Sequence, residues 1–388
     1  MTAVLEVRQI TGEEHLAFLG TRPSASFLQA PAWAHVKREW RAESIGWFDT
    51  RAGDRTQPIG VALVLYRQLP KVKRYLAYLP EGPVIDWAVA DLGDWLHPMA
   101  EHLKRQGAFG IRIGPPVITR SWDAAAIKDG IADDAITSLT QLPPTQRNRT
   151  GAAVVSQLRE LGWVCQSVEG GFAAGQPQYN FQIPLADESG PRSSDDVLAG
   201  MNQLWRRNIK KAAKAGVEVS LGTDADLSAF HELYVLTAQR DHFTPRPLSY
   251  FETMYAALGA EGLSSGGHSQ IRIYLARHEG DLVAATIWIR VGTHAWYSYG
   301  ASSTEKREVR GSNAVQWQMI SDTLAAGATT YDLRGITETL ASDDPHLGLI
   351  QFKVGTGGEA VEYVGEWDLP LNRAIYAAFQ LYLKRGRR

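Results

Sequence analysis

A chain of 388 residues is too long for one typical domain and suits two, each large enough to bury its own core. Hydrophobic residues make up 44% and charged residues 21%, an ordinary globular balance, and a formal net charge of −2 excludes attraction of the chain as a whole to nucleic acid, leaving only a local patch for that role. The single cysteine, Cys165, excludes an internal disulfide and a thiolate metal cage, and suits a reducing, cytoplasmic setting.

The N-terminal MTAVLEVRQITGEEHL has no basic start followed by an apolar core, so no secretory signal is expected. No apolar run approaches the about 18 residues of a membrane span. SFLQAPAWAHVKREW (26–40) reads as a short helix with Trp33 and Lys37 on one face, a pattern shared by a packed tryptophan beside a solvated lysine and by a binding lysine. IGVALVLY (59–66) and RYLAYLPEGPVI (74–85) read as buried strands. A helix follows from Asp91 to Gln106, stopped by Gly107, and then a strand, FGIRIGPPVI (109–118), stopped by Pro115 and Pro116. Residues 121–150 read as loop-rich, and GAAVVSQLRELG (151–162) as a helix.

The polar, glycine-containing VEGGFAAGQPQ (168–178) marks a domain boundary. The pattern restarts with a strand, YNFQIPL (179–185), a helix from about 195 to 215, a strand, VEVSL (217–221), and a helix from about Asp224 to Asp241. IRIYLARHEGDLVAATIWIR (271–290) reads as a hairpin turning at HEGD, followed by the strand HAWYSYGAS (294–302). Ser312 or Asn313 is expected to cap a helix reaching about Ala326, and TTYDLRGI (329–336) to be a strand. FKVGTGGEAVEYVGEWDLPL (352–371) reads as a strand leading into a Gly-rich turn, with Lys353 at the junction. The last helix carries Ile375, Ala378, Phe379, Tyr382 and Leu383 as an amphipathic stripe. The basic end LKRGRR is either a solvated helix end or a contact for anionic lipid headgroups. Strands alternating with helices indicate an α/β or α+β architecture, and the two halves look like a loose duplication.

Familiar catalytic signatures are absent: there is no GxxxxGK[ST], HExxH, GxSxG or paired CxxC. The histidines show no tight ligand spacing beyond the loose pair His15 and His35, so neither a metal nor a cofactor is expected. In MNQLWRRNIKKAAKAGVEV (201–219), Arg206, Arg207, Lys210, Lys211 and Lys214 fall on the helical face opposite Trp205 and Ile209. Five cations without an acidic partner repel one another. They form either a solvated face or a landing site for a polyanion such as an RNA backbone. In TAQRDHFTPRPLSYF (237–251), Pro247 suits a first helical position, placing Arg246 and Tyr250 together as a surface feature or as a phosphate grip. Lys353 is either a snorkelling surface residue or an electrostatic catalyst.

Taken together, FLQAPAWAHVK, LWRRNIKKAAKAGVEV, RDHFTPRPLSYF, YSYGASS, AVQWQMISDTLAAGATTYDLRGI and FKVGTGGEAVEYVGEWDLPLNRAIYAAF resemble, in order and spacing, the FemABX family of non-ribosomal peptidyltransferases that build peptidoglycan cross-bridges. The similarity runs over nearly the whole chain. It implies two tandem GNAT-like acyltransferase domains with a cleft between them: 1–177 plus 364–388, which binds the acceptor, and 178–363. The implied donor is an aminoacyl-tRNA. The implied acceptor is the amine of the third stem-peptide residue of a peptidoglycan precursor, either lipid II or a UDP-linked muropeptide. The donated residue would be glycine or another small amino acid. A cytoplasmic monomer is expected, because the two halves already form a cleft, and the basic tail allows peripheral contact with the inner face of the membrane.

Carried over by position, Lys37, Arg246, Tyr250 and Tyr299 are substrate-binding residues. Lys353 is the lysine near the reaction centre, placed to stabilise the oxyanion as an amine attacks an ester carbonyl. Phe352 and the glycines at 355, 357 and 358 would let that lysine emerge into an apolar channel. The basic helical face, from Arg206 to Lys214, would contact the RNA. Two departures stand out. Some members have an aspartate, proposed as a base, where this chain has Gly114, so no general base is named. EVRGSNA (308–314) is only a degenerate form of the GNAT pyrophosphate loop, which argues against acetyl-CoA as donor. Competing readings are an acyl-CoA N-acyltransferase, a transferase acting on protein N-termini, and a non-catalytic RNA- or precursor-binding protein.

Overall fold

The computed structural model describes residues 5–52, 56–70, 72–166 and 175–385. The glycine-rich stretch expected to mark the domain boundary lies partly outside these residues, as does the end of the basic tail. Contacts group the chain into two units. The first comprises Met1–Arg120, Arg147–Gln178 and Glu362–Arg388, and the second Ser121–Gln146 and Tyr179–Val361.

The first unit is built on a sheet ordered Leu5–Ile10, Arg41–Asp49, Gly60–Gln68, Tyr75–Leu79, Ala108–Ile113, Trp367–Pro370, Val164–Cys165. Tyr75–Leu79 and Ala108–Ile113 run parallel, and the other pairs are antiparallel. Gly60–Gln68 has its first seven residues buried, the run of Val, Leu and Ala expected of a strand covered on both faces. Trp47, Tyr66, Met99, Leu103, Ile111 and Trp367 fill the core. The helix Gly93–Arg105 supplies two of them. The C-terminal strand is inserted between two earlier ones, so the end of the chain belongs to the first unit. The last helix, Arg373–Arg385, packs Phe379 edge-on against Phe109 at 5.3 Å. Tyr382, expected in its buried stripe, is 58% exposed, and Tyr376 takes that place, donating to the Asp368 carboxylate at 2.5 Å.

The second sheet runs in the order Glu218–Gly222, Ser269–His278, Asp281–Val291, His294–Ser302, Thr330–Ile336, Tyr179–Pro184, Glu359–Tyr363, Ile118–Asp123, Gln146–Arg147. The expected hairpin at HEGD forms, with Glu279 and Gly280 both at positive φ (53° and 87°), the pattern of a tight type I′ connection. Residues 121–146, read as loop-rich, include a helix, Ala124–Ile131, capped by the Asp123 side chain. They group with the second unit, whereas the sequence boundary left them in the first, because Trp122, Ile127 and Leu139 are buried in the second unit's core.

The single helix expected over 195–215 is two. Ser194–Gly200 ends at extended Met201, and Asn202 caps Gln203–Lys214 by accepting from the Trp205 N–H at 2.8 Å. The helix Gly311–Ala325 has no side-chain cap; Arg310, at φ 63°, precedes it. The largest correction concerns Lys353. It sits in the last turn of a two-turn helix, Leu347–Val354, instead of at the end of a strand. An eight-residue apolar run does not separate helix from strand by its pattern alone.

Candidate active site

Lys353 is 3% exposed. Its Nζ donates to the carbonyl oxygens of Gly335 at 2.7 Å and Arg334 at 3.1 Å. Burial pushes its ammonium down to about 7, against the pull of the Asp332 carboxylate and assisted by the Arg334 charge. Asp332 is itself buried. Burial alone would raise its carboxyl, but His294, the Arg334 charge and the Arg334 N–H together hold it below the usual range. The glycines after the lysine serve close packing of backbone, not an open channel. A Cβ on Gly355 would lie 2.3 Å from the Trp205 ring, and one on Gly357 2.0 Å from the Gly200 carbonyl oxygen.

The strands His294–Ser302 and Thr330–Ile336 run parallel and pair only over 294–296 with 330–332. Beyond those residues the two strands no longer pair with each other, and each carries site residues there. On the first, a one-residue bulge sets Tyr297 opposite Trp288 and Tyr299 opposite Ile287. Trp288 and Ile287 point to opposite faces, so the two tyrosines do as well. Tyr297 packs into the main core, and Tyr299 meets Phe251 edge-on at 5.2 Å. The Tyr299 hydroxyl lies 3.0 Å from that of Tyr250. The Arg246 guanidinium stands over the Tyr250 ring at 5.4 Å. Pro247 stands at the N-cap of the helix Leu248–Ser264, one residue before the first helical position expected for it, and makes no side-chain cap. Burial, then the neighbouring Tyr299 hydroxyl, pushes the Tyr250 hydroxyl well up. Burial also raises Tyr299, against the Arg246 and Arg334 charges. At neutral pH both are therefore hydroxyl donors beside an exposed guanidinium. Arg334 acts on both Tyr299 and Lys353, which ties the tyrosine cluster to the buried lysine.

Phe352 packs on Trp205 with ring centroids 4.8 Å apart, and its carbonyl accepts from the Trp205 indole at 2.8 Å. It thus joins the lysine's helix to the basic helix. Arg207, Lys210, Lys211 and Lys214 are exposed on the face opposite buried Trp205 and Ala212. Arg206 is half-buried and donates to the Ala199 carbonyl at 3.0 Å. Among the described residues, no carboxylate pairs with these five cations. Lys37 belongs to the first unit, where it ends the helix Trp33–Val36 and its N–H donates to the Trp33 carbonyl at 3.1 Å. Trp33 is held edge-on against Phe27 at 5.3 Å. His15 is buried, with Nδ1 2.8 Å from the Ser44 hydroxyl, and so is placed by packing.

Gly114 leaves room for a carboxylate from elsewhere. A Cβ there would lie 3.0 Å from Cγ of Glu366, which is 5% exposed, accepts from the Tyr78 hydroxyl at 2.6 Å and stands 3.9 Å from Arg112. Burial raises its carboxyl, although Arg112 and Tyr78 oppose the change. Sequence reasoning did not single out Glu366, Asp332 or Arg334. For the latter two a signal existed, since a buried acid and an arginine stand together in YDLRGI.

The FemAB family matches residues 10–262 and 272–384. The lipid II:glycine glycyltransferases of Staphylococcus epidermidis and Staphylococcus aureus are each 24% identical to the chain, over 96% of its length and 94% of theirs. A crystal structure of FemX superposes with a TM-score of 0.77 at 23% identity, covering 96% of this chain and 99% of that one. The structure of L-PGS from Bacillus licheniformis is more distant, with a TM-score of 0.53 at 8% identity. The chain belongs to the FemAB family of aminoacyltransferases.

Proposed function

We propose that the protein moves an amino acid from an aminoacyl-tRNA onto the side-chain amine of the third stem-peptide residue of a peptidoglycan precursor. Lipid II and a UDP-linked muropeptide are the two acceptors of matching chemistry, and glycine is the first donor residue to test. The names of the staphylococcal relatives support lipid II and glycine. The observation that carries the reading is a nearly fully buried lysine, its Nζ fixed by two carbonyls of a bulge that also holds the buried Asp332 carboxylate.

The chemistry suits that arrangement. The acceptor amine attacks the ester carbonyl that joins the amino acid to the ribose. An N–C bond forms and the C–O bond breaks; the amine nitrogen gives up one proton, and the departing ribose oxygen takes one up to leave as a hydroxyl. Charge develops on the carbonyl oxygen, and a fixed ammonium in a dry setting stabilises it. Ester to amide is downhill, so orientation and electrostatics suffice without a covalent enzyme intermediate. Arg246, Tyr250 and Tyr299 offer a guanidinium and two hydroxyls to the precursor's phosphates. Lys37 is assigned to the same acceptor, and the basic face from Arg206 to Lys214 to the RNA backbone. Phe352 holds the lysine's helix against Trp205. This work belongs in the cytoplasm, at the inner face of the membrane where lipid II is presented. No helix among the described residues is long and apolar enough to cross a membrane.

The test is a transfer assay with charged tRNAs and each acceptor, read by product mass. A gain of one amino acid is expected, and Lys353→Met should lower the rate at least about 100-fold with acceptor binding retained. Consumption of acetyl-CoA with a simple amine and no transfer from tRNA would overturn the reading.

A further inference from the structure

The strand Thr330–Ile336 breaks register with Tyr179–Pro184 between Asp332 and Gly335. Asp332 stands opposite Gln182 and Gly335 opposite Asn180, so one residue is extra. Within this bulge Arg334 takes φ 63°, a conformation a bulky side chain does not choose freely. The Asp332 carboxylate fixes it. One oxygen accepts the Arg334 N–H at 2.5 Å, bending the backbone back on itself. The other accepts from the Gln182 amide at 3.1 Å and lies 3.4 Å from His294 Nε2. His294 is in turn stacked on Trp296 at 4.2 Å. The bend turns the Arg334 and Gly335 carbonyls toward the Lys353 ammonium.

We propose that Asp332 is a positioning residue for Lys353: its carboxylate shapes the bulge whose two carbonyls hold the lysine, and it sets a negative charge in that same bulge. The proposal rests on the reading of Lys353 as the group that stabilises the reacting carbonyl. The charged groups that act on the lysine are Asp332 and Arg334, of opposite sign. His294 and Gln182, from the two neighbouring strands, both contact the Asp332 carboxylate. The lysine's own helix, LGLIQFKV, brings no other charge. Burial leaves Lys353 titrating near neutrality, so the sign of its neighbour decides how much of the enzyme carries the cation.

Asp332→Asn keeps an oxygen for the Arg334 N–H and removes the charge. Lysine labelled at Cε is followed by carbon NMR against pH, with the Lys353 signal identified by its loss in Lys353→Arg. The titration midpoint is expected at least about one pH unit lower in Asp332→Asn than in the unaltered protein. The alkaline limb of the transfer rate should move the same way, so that lowering the pH restores much of the lost rate. A midpoint and a limb that stay in place, with a rate reduced equally at every pH, would overturn the proposal and leave Asp332 a structural residue. Asp332→Glu is the second variant, because it keeps the charge and misplaces the oxygens. Its midpoint should stay near that of the unaltered protein while kcat falls about tenfold or more. Unchanged kcat there would overturn the shaping role. If the unaltered protein transfers nothing from any charged tRNA, the proposed reaction fails, and the NMR midpoint still decides the role of Asp332.

Discussion

Single residues carry the site through close approach as much as through charge. Gly355 shows this most simply. It follows the lysine's helix, and a methyl group there would have to share space with the Trp205 ring at 2.3 Å. That ring is 3% exposed, bonded to the Phe352 carbonyl and packed at a tilt against the Phe352 ring, so it has nowhere to move. Gly355→Ala is expected to cost about 1–3 kcal/mol of stability, read as a lower urea midpoint with an unchanged slope. An unchanged midpoint would mean that the tryptophan relaxes freely. The glycine-rich GTGG was legible in the sequence, but its reason was not, because what it accommodates lies about 150 residues away in Trp205. The same limit applied to Lys353. Its residue type in an apolar run marked it as a candidate, whereas the carbonyls that hold it belong to a bulge that no local pattern announces. Tyr299 was found through resemblance; its orientation depends on one extra residue, Ser298, which reads in the sequence as an ordinary strand position.

Elements were legible where their periodicity was long and failed where runs were short. The strand Asp281–Val291 and the helix Gln203–Lys214 are strongly patterned and form near the expected places, while Leu347–Val354 is two turns long and was read as a strand. The basic helix also supports a functional prediction. Trp205 and Ala212 bury one face, and the other presents exposed Arg207, Lys210, Lys211 and Lys214. A face kept this cationic despite repulsion at i, i+4 suits a phosphate backbone. Replacing these four residues with glutamine should lower kcat/KM for aminoacyl-tRNA by about tenfold or more at low salt, and it should flatten the logarithmic dependence of that parameter on salt. The acceptor's KM should stay within about twofold. An unchanged salt dependence would assign the face to solvent alone. Arg206 is left out of the variant because its guanidinium bonds the Ala199 carbonyl and so supports the fold.

At the scale of the whole molecule, the two units can be told apart by their buried bases. His15 belongs to the first unit, and burial pushes its imidazole down to about 3. Lys353 belongs to the second, and burial pushes its ammonium down to about 7. For both, the unfolded chain binds the proton more tightly than the folded one. Between the folded and unfolded values the unfolded state therefore carries more protons, and stability rises with pH. For His15 that window lies between about 3 and the ordinary histidine value of 6.5; for Lys353 it lies between about 7 and 10.5. Within each window the slope is at most about 1.4 kcal/mol per pH unit from the one group. The expected result is two separate effects on the midpoint of thermal unfolding. His15→Gln should flatten its rise from about pH 4 to 6.5 and leave the alkaline range alone. Lys353→Met should flatten the rise from about pH 7 to 9 and leave the acid range alone. The measurement is a melting series of the three proteins across those pH values. If the Lys353→Met curve stays parallel to that of the unaltered protein above pH 7, the folded protein holds the lysine proton as tightly as the unfolded chain does, and burial does not depress the ammonium. The lysine would then stay an ammonium throughout that range, and the alkaline limb expected of the transfer rate near neutrality would be absent.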